Sequence, residues 1–158
     1  MLTKNLLFDW GDTLMVDYPQ YKGSMAFWEK VAPMPGVMET MPLLYSRYKC
    51  VVVSNAGDSD AALMRQAFSR IALDKYFSDF LTSKELQAAK PSLEFFQAVI
   101  NKLQLSPRET VMIGNDYEKD IAGAKNAGLK TVFITSKRGY YPHADYKISS
   151  FWELADIL

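Results

Sequence analysis

The chain has 158 residues, enough for one domain with a real hydrophobic core, and its 18 basic and 18 acidic side chains cancel. No basic tract marks a nucleic-acid binder, no apolar stretch approaches the roughly 18 residues of a membrane span, and no signal-like apolar region follows Met1-Leu2-Thr3-Lys4. A single cysteine, Cys50, excludes an intramolecular disulfide and suits a reducing compartment, so a cytoplasmic protein without nucleic-acid or membrane partners is expected.

Residues 5–9 form a short apolar run predicted as a strand of a parallel sheet buried on both faces. Residues 15–35 are mixed and punctuated by Pro19, Gly23, Pro33 and Pro35, with Ser24 predicted to cap a short helix reaching Val31. A helix is predicted over 36–48, with Val37, Met41, Leu44 and Tyr48 on one stripe and Pro42 as a point of kinking. Residues 49–54 read as the second strand, and Cys50 beside Val51-Val52-Val53 reads as core. After the turn Asn55-Ala56-Gly57, Asp58 or Ser59 is expected to cap a helix reaching about Ile71.

Residues 76–82 lead into a short third strand, and Pro91 is expected at the first position of a helix reaching about Leu103. Ser106-Pro107 starts a turn. Residues 110–114 are the fourth strand, followed by a helix over 117–126 that stops at Gly128. A fifth strand at 130–135, a short sixth at 146–148 and a closing helix from 151 to 158 complete the pattern.

Strands alternating with helices imply a mainly parallel sheet of five or six strands with helices on both faces, joined by right-handed crossovers. Ligands of such sheets bind at the carboxyl ends of the strands. The chemically capable residues gather there: Asp9 and Asp12 after the first strand, Ser54 and Asn55 after the second, and Asn115, Asp116 and Asp120 after the fourth. Lys90 stands on the connection from the third. Carboxylates with one hydroxyl and one lysine suit phosphoryl transfer, in which a carboxylate attacks phosphorus and the barrier lies in managing oxygen charge. Clustered acidic oxygens favour a hard cation, Mg²⁺.

Phe-Asp-Trp-Gly-Asp-Thr-Leu after an apolar strand resembles the first motif of the haloacid dehalogenase-like superfamily, as a small- or minimal-cap member. Val-Val-Val-Ser-Asn at 51–55, Lys90-Pro91 opening a helix, and the run at 112–128 resemble the second, third and fourth motifs, and the segment from Ala144 to Leu154 resembles the family's C-terminal end. The resemblance spans nearly the whole chain apart from 15–34. It implies a Rossmann-like three-layer αβα sandwich, one domain over 1–158 with a short cap-like insert at about 15–34, and usually a Mg²⁺-dependent phosphatase.

Carried over residue by residue, Asp9 is the nucleophile and a metal ligand, Ser54 a donor to phosphoryl oxygens with Asn55 as a further phosphate-binding residue, and Lys90 the charge that holds nucleophile and phosphate together. Thr13 and Asp120 support the site, and the Gly11 carbonyl contacts the metal.

Two positions depart from the family pattern. Gly11 stands where the phosphatases carry a second Asp as general acid/base, with Asp12 one residue late. Gly114-Asn115-Asp116 stands where Gly-Asp is common. Asp116 is therefore the favoured metal ligand, Asn115 a neutral one, and Asp120 an anchor for Lys90 or the metal shell. Asp12 is either the displaced general acid or a turn residue, the second being favoured slightly.

The expected substrate is a phosphorylated small molecule or a phosphoprotein. With so short an insert, the site is open, or roofed by Tyr18, Tyr21, Phe27 and Trp28, or closed by a second copy in a homo-oligomer. Loss of the acid at residue 11 leaves a second reading, a phosphate-binding or regulatory protein without turnover. Carbon–halogen or carbon–phosphorus hydrolysis ranks last. The only histidine, His143, reads as loop beside Tyr140-Tyr141.

Overall fold

In the computed structural model, which describes residues 2–55 and 57–158, the first apolar run forms β1 (Asn5–Phe8), buried throughout. It pairs in parallel with β2 (Lys49–Ser54) on one side and β4 (Thr110–Gly114) on the other. β3 (Asp79–Thr82) lies outside β2, while β5 (Lys130–Ile134) and β6 (Tyr146–Ile148) extend the sheet beyond β4. The order among the described residues is 3-2-1-4-5-6, and every pairing is parallel. Strand order reverses between β1 and β4, the place where an open parallel sheet leaves a crevice at its carboxyl edge.

Side chains alternate along each strand and feed two separate cores. Leu6, Phe8, Val52 and Ile113 pack with α1 (Val37–Tyr45), α2 (Ala61–Ser69) and α6 (Leu154–Ile157) on one face. Leu7, Val51, Val53 and Met112 pack with α4 (Leu93–Leu103) and α5 (Gly123–Asn126) on the other. The expected three-layer sandwich is thus present, with all strands parallel. A short helix the sequence reading omits, α3 (Ser83–Leu86), follows β3 and is closed by a capping box between Thr82 and Glu85. Among the described residues no helix is long and apolar enough to cross a membrane. Burial pushes the Cys50 thiol up to about 12, which fits a core residue rather than a reactive one.

Several boundaries move for identifiable reasons. Asp60, not Asp58 or Ser59, caps α2, its carboxylate accepting from Leu63 N at 3.0 Å. Ser92 caps α4 by accepting from Phe95 N at 3.2 Å, which puts Pro91 one residue before the cap rather than at the first helical position. Gly36 precedes α1 with φ +88°, where a Cβ would come within 2.8 Å of the Trp152 ring. α1 runs through Pro42 without interruption and ends at Tyr45, short of the expected 48. The turn residue Ala56 lies outside the described residues.

The insert is the largest departure. Ser24 caps only the 3₁₀ turn Met25–Phe27, not a helix to Val31. The two ends of the insert are stitched together: Val16 N donates to Ala32 O, and Met34 N to Leu14 O, both at 2.9 Å. Its body leans on the rest of the protein through Arg70 Nη1, which donates to Met25 O at 3.1 Å, and through a 2.7 Å hydroxyl contact between Ser24 and Ser59.

Phe68 anchors the α2 side, fully buried with ring centroids of Phe80, Phe77 and Trp10 at 5.0, 5.4 and 6.0 Å. Phe68→Ala is expected to lower the unfolding free energy by about 3–5 kcal/mol, read from urea denaturation midpoints.

Candidate active site

Asp9 is the first residue beyond β1, held there by its own N–H donating to Ile113 O at 3.0 Å. Its carboxylate therefore stands at the carboxyl edge beside the strand-order reversal. Lys90 reaches it from the connection after β3. The Lys90 ammonium donates to Asp9 Oδ1 and Asp120 Oδ1, each at 2.7 Å, and to Val53 O at 3.1 Å. Three donors meet three acceptors, which is the full capacity of an ammonium. The Lys90 and Asp120 side chains are only 3% and 1% exposed, whereas Asp9 keeps 15%, so the free end of the triad faces the cavity.

Burial alone lowers a lysine's proton affinity, but Asp9 and Asp120 overcome it and hold Lys90 above its ordinary value, protonated. Asp120 is pushed up to about 7, mainly by desolvation and further by Asp9, with Lys90 pulling the other way. Gly114 makes room for this carboxylate: a Cβ there would occupy the space of the Asp120 side chain. Asp120 Oδ2 also accepts from Asp116 N at 3.1 Å.

The loop after Asp9 is drawn into a tight coil by Trp10 O, which accepts from the N–H groups of Thr13, Leu14 and Met15. Within it Asp12 adopts φ +59°, its N–H donates to Met15 O at 2.7 Å, and its Oδ1 accepts from Asp17 N at 2.9 Å. The Asp12 side chain thus ties two parts of the loop together.

Asn115 closes the other side. With its amide nitrogen toward β1 it donates to Asp9 Oδ2 at 2.9 Å, Thr13 Oγ1 at 3.0 Å and Gly11 O at 3.2 Å. Turned over, its oxygen accepts from Thr13 Oγ1 at 3.0 Å and faces Asp9 Oδ2 and Gly11 O, a convergence of oxygens that the first orientation avoids and that a bound cation would offset. An all-oxygen set of carboxylate, carbonyl and amide suits a hard ion such as Mg²⁺. Among the described residues no three His, Cys, Asp or Glu side chains cluster to hold a metal, so the main-chain and amide oxygens carry part of such a site.

A cavity of about 270 Å³ is lined by every predicted site residue except Thr13. Thr13 is buried beneath it, hydrogen bonded to Asn115. Asn55 lines the cavity but its amide is already engaged, accepting from Lys90 N at 2.7 Å and donating to Lys90 O at 3.1 Å. It clamps the lysine's main chain. Ser54 Oγ donates to Asn55 O at 3.2 Å, a long bond that a better acceptor in the cavity displaces. Asp116 is exposed at the rim, with Oδ1 accepting from Lys119 N at 2.9 Å as a helix cap. His143 is paired with the Tyr117 hydroxyl at 2.8 Å, outside the cavity lining.

Two lining residues escape the sequence reading, Lys119 and Asp17. Asp17 sits inside the insert, where no family motif draws attention to it. Partial burial, then the charges of Asp12 and Asp9, raise its carboxyl above the ordinary value. A larger hollow of about 530 Å³, lined by Lys4, Arg47 and Lys130, lies at the opposite edge of the sheet and contains none of these groups.

The family model for haloacid dehalogenase-like hydrolases matches residues 6–134. The glyceraldehyde 3-phosphate phosphatase of Methanocaldococcus jannaschii is 38% identical over 95 residues, covering 56% of this chain and 41% of that protein. The ribulose-1,5-bisphosphate 5-phosphatase of Halopiger xanaduensis is 27% identical over 144 residues, 84% of this chain and 59% of that protein. The chain spans about half the length of the curated relatives it matches. Among solved structures, a HAD phosphatase from Thermococcus onnurineus aligns with a TM-score of 0.84 at 23% identity, covering 98% of this chain and 97% of that one. YfnB of Bacillus subtilis, solved bound to magnesium, aligns at 0.82 and 17% identity over 100% of this chain and 99% of its own. At these identities the two structures bear on the fold.

Replacing Lys90 with Met leaves two facing carboxylates in the site, one of them buried. Asp120 already sits above its unfolded value of 3.8, so its protonation favours the folded state; that contribution is full below about 3.8 and is lost as pH rises through about 7. Lys90→Met is therefore expected to destabilise the protein by about 3–5 kcal/mol at pH 8 and by less at pH 5, measured by urea unfolding at both values.

Proposed function

The chain belongs to the haloacid dehalogenase-like hydrolase family, and we propose that it is a Mg²⁺-dependent phosphatase acting on a phosphate monoester of a small molecule through an aspartyl-phosphate at Asp9. The observation that carries this reading is the Asp9–Lys90–Asp120 triad, with one carboxylate open to a polar cavity and the other two groups buried behind it. A carboxylate that already has an ammonium on Oδ1 keeps its geometry while Oδ2 attacks, and the ammonium offsets the charge an incoming phosphate brings.

Ser54 supplies a hydroxyl donor to a phosphoryl oxygen, and Asn55 fixes the main chain from which Lys90 extends. Asp9, the Gly11 carbonyl and Asn115 would hold the ion, with Asp116 at its rim; the ion supplies charge neutralisation for the phosphoryl group. Asn115 is the nearer partner, since its amide lies beside Asp9 Oδ2 and Gly11 O and presents its oxygen to them when turned, while Asp116 caps a helix. Asp12, bonded to Asp17 N, serves the loop rather than the leaving group.

The relatives' names, a glyceraldehyde 3-phosphate and a ribulose-bisphosphate phosphatase, support a small phosphorylated substrate over a phosphoprotein. They also favour hydrolysis over a binding-only role and over carbon–halogen or carbon–phosphorus cleavage. A cytoplasmic site of action belongs to the same proposal and rests on the lone, buried thiol of Cys50.

With Mg²⁺, hydrolysis of p-nitrophenyl phosphate is expected, abolished by chelation and by Asp9→Asn. Absence of turnover by the wild type across aryl and sugar phosphates would refute the reading. Ser54→Ala is expected to cost about 10²–10³ in kcat, the usual loss on removing one donor to a charged oxygen. Asn115→Ala should raise the Mg²⁺ concentration needed for half-maximal rate by about 10–100-fold, and Asp116→Ala by less.

A further inference from the structure

The reaction proposed above leaves one group unassigned. A departing alkoxide needs a proton, and residue 11, a glycine, has no side chain to give it. The space beside Gly11 is already filled. A Cβ built there would lie 3.3 Å from Asp17 Cβ, 3.5 Å from Asp17 Oδ2 and 3.6 Å from Asp17 Cγ. All three of the nearest atoms that such a side chain would meet belong to Asp17. One acid group is absent from the loop after β1 and another, from the insert, stands in its place.

The cavities locate the same residue independently. Next to the cavity around Asp9 lies a second one of about 270 Å³, walled by Trp10, Met25 and Trp28 and by the polar Asp58 and Ser59. Gly11, Asp17, Ser54 and Asn55 line both. A phosphate held at Asp9, with its organic part in the second cavity, carries its ester oxygen past this shared wall. Asp17 is the only carboxylate among the four shared residues. Its main chain is fixed there by the Asp17 N–H donating to Asp12 Oδ1 at 2.9 Å, which gives the displaced Asp12 a positioning task.

We propose that Asp17 is the general acid/base of this enzyme, replacing the carboxyl missing at Gly11. This rests on the phosphatase reading. In the first step an Asp9 oxygen bonds to phosphorus, the bond from phosphorus to the ester oxygen breaks, its electron pair stays on that oxygen, and the Asp17 proton joins it to release an alcohol. In the second, the Asp17 carboxylate takes a proton from water as the water oxygen bonds to phosphorus, and the bond from phosphorus to Asp9 breaks. Inorganic phosphate leaves and Asp17 is again protonated.

The test compares leaving groups. p-Nitrophenolate departs without a proton, whereas the alcohol of glycerol phosphate or a sugar phosphate does not. Under single-turnover conditions Asp17→Asn is expected to slow alcohol release from the best alkyl phosphate by about 10²–10⁴-fold, with a much smaller loss in the first burst of p-nitrophenolate. The variant should melt like the wild type, since Asp17 is exposed. Moving the acid back, in Gly11→Asp combined with Asp17→Ala, should recover alcohol release relative to Asp17→Ala alone.

Equal losses on both substrates, no loss on the alkyl ester, or no recovery in a natively folded double variant would overturn the assignment while leaving the phosphatase reading intact. Wild-type turnover of aryl esters but of no alkyl phosphate would overturn it too. No wild-type turnover of any ester would instead remove the phosphatase reading itself.

Discussion

One ammonium group holds the candidate site together. Lys90 Nζ meets a carboxylate following β1, a carbonyl near the end of β2 and a carboxylate following β4. Three adjacent strand ends are thereby drawn to one point. Burying this charge is costly unless every donor is matched, and every donor is. The matching depends on details well away from the charge. Gly114 leaves space for Asp120, and Asn55 grips the main chain on both sides of Lys90. The sheet supplies the geometry, but the lysine makes the strand ends depend on each other.

That dependence explains which parts of the site were readable from residues alone. Asp9, Lys90 and Asp120 sit in motifs tied to strand ends, and a parallel sheet leaves strand ends few places to go. β2 and β4 fall where the apolar runs predict them, because a strand buried on both faces has to be apolar throughout. Asp12 was harder. Its sequence position beside Asp9 does not show that its carboxylate is engaged by the loop, and only the coil around Trp10 O and the bond from Asp17 N reveal a side chain at the cavity wall that is already tied to its own loop. Asn55 was legible only in part for a related reason: a polar residue after a strand reads as a phosphate contact, and its second task, holding the Lys90 peptide, shows only when that partner is known.

The insert was the least legible stretch. Its prolines and aromatic residues show no period, so nothing local specifies its path. Order comes from elsewhere, through Arg70 at the C-terminal end of α2, the hydroxyl of Ser59, and the short ladder that joins residues 14–16 to 32–34. Asp17 inherits its place from that tertiary framework, with its N–H held by Asp12 just where the chain leaves the ladder. A residue of this kind has no motif; it becomes visible only once the neighbour that fills the space beside Gly11 is known.

The same ladder separates two problems that the protein would otherwise have to solve together. Since Val16 and Ala32 are bonded neighbours, the chain between them starts and finishes at almost one point. A doubling of loop length costs only about 0.6 kcal/mol in closure entropy when the ends are already joined. What lies between residues 18 and 31 is therefore exchangeable without disturbing the strand ends: a longer excursion there changes the walls of the cavity, while Asp9, Lys90 and Asp120 stay where the strands put them and Asp17 stays at the exit of the ladder. The length of the excursion and the placing of the carboxylates are in this way independent, and the boundary between them is a pair of 2.9 Å hydrogen bonds.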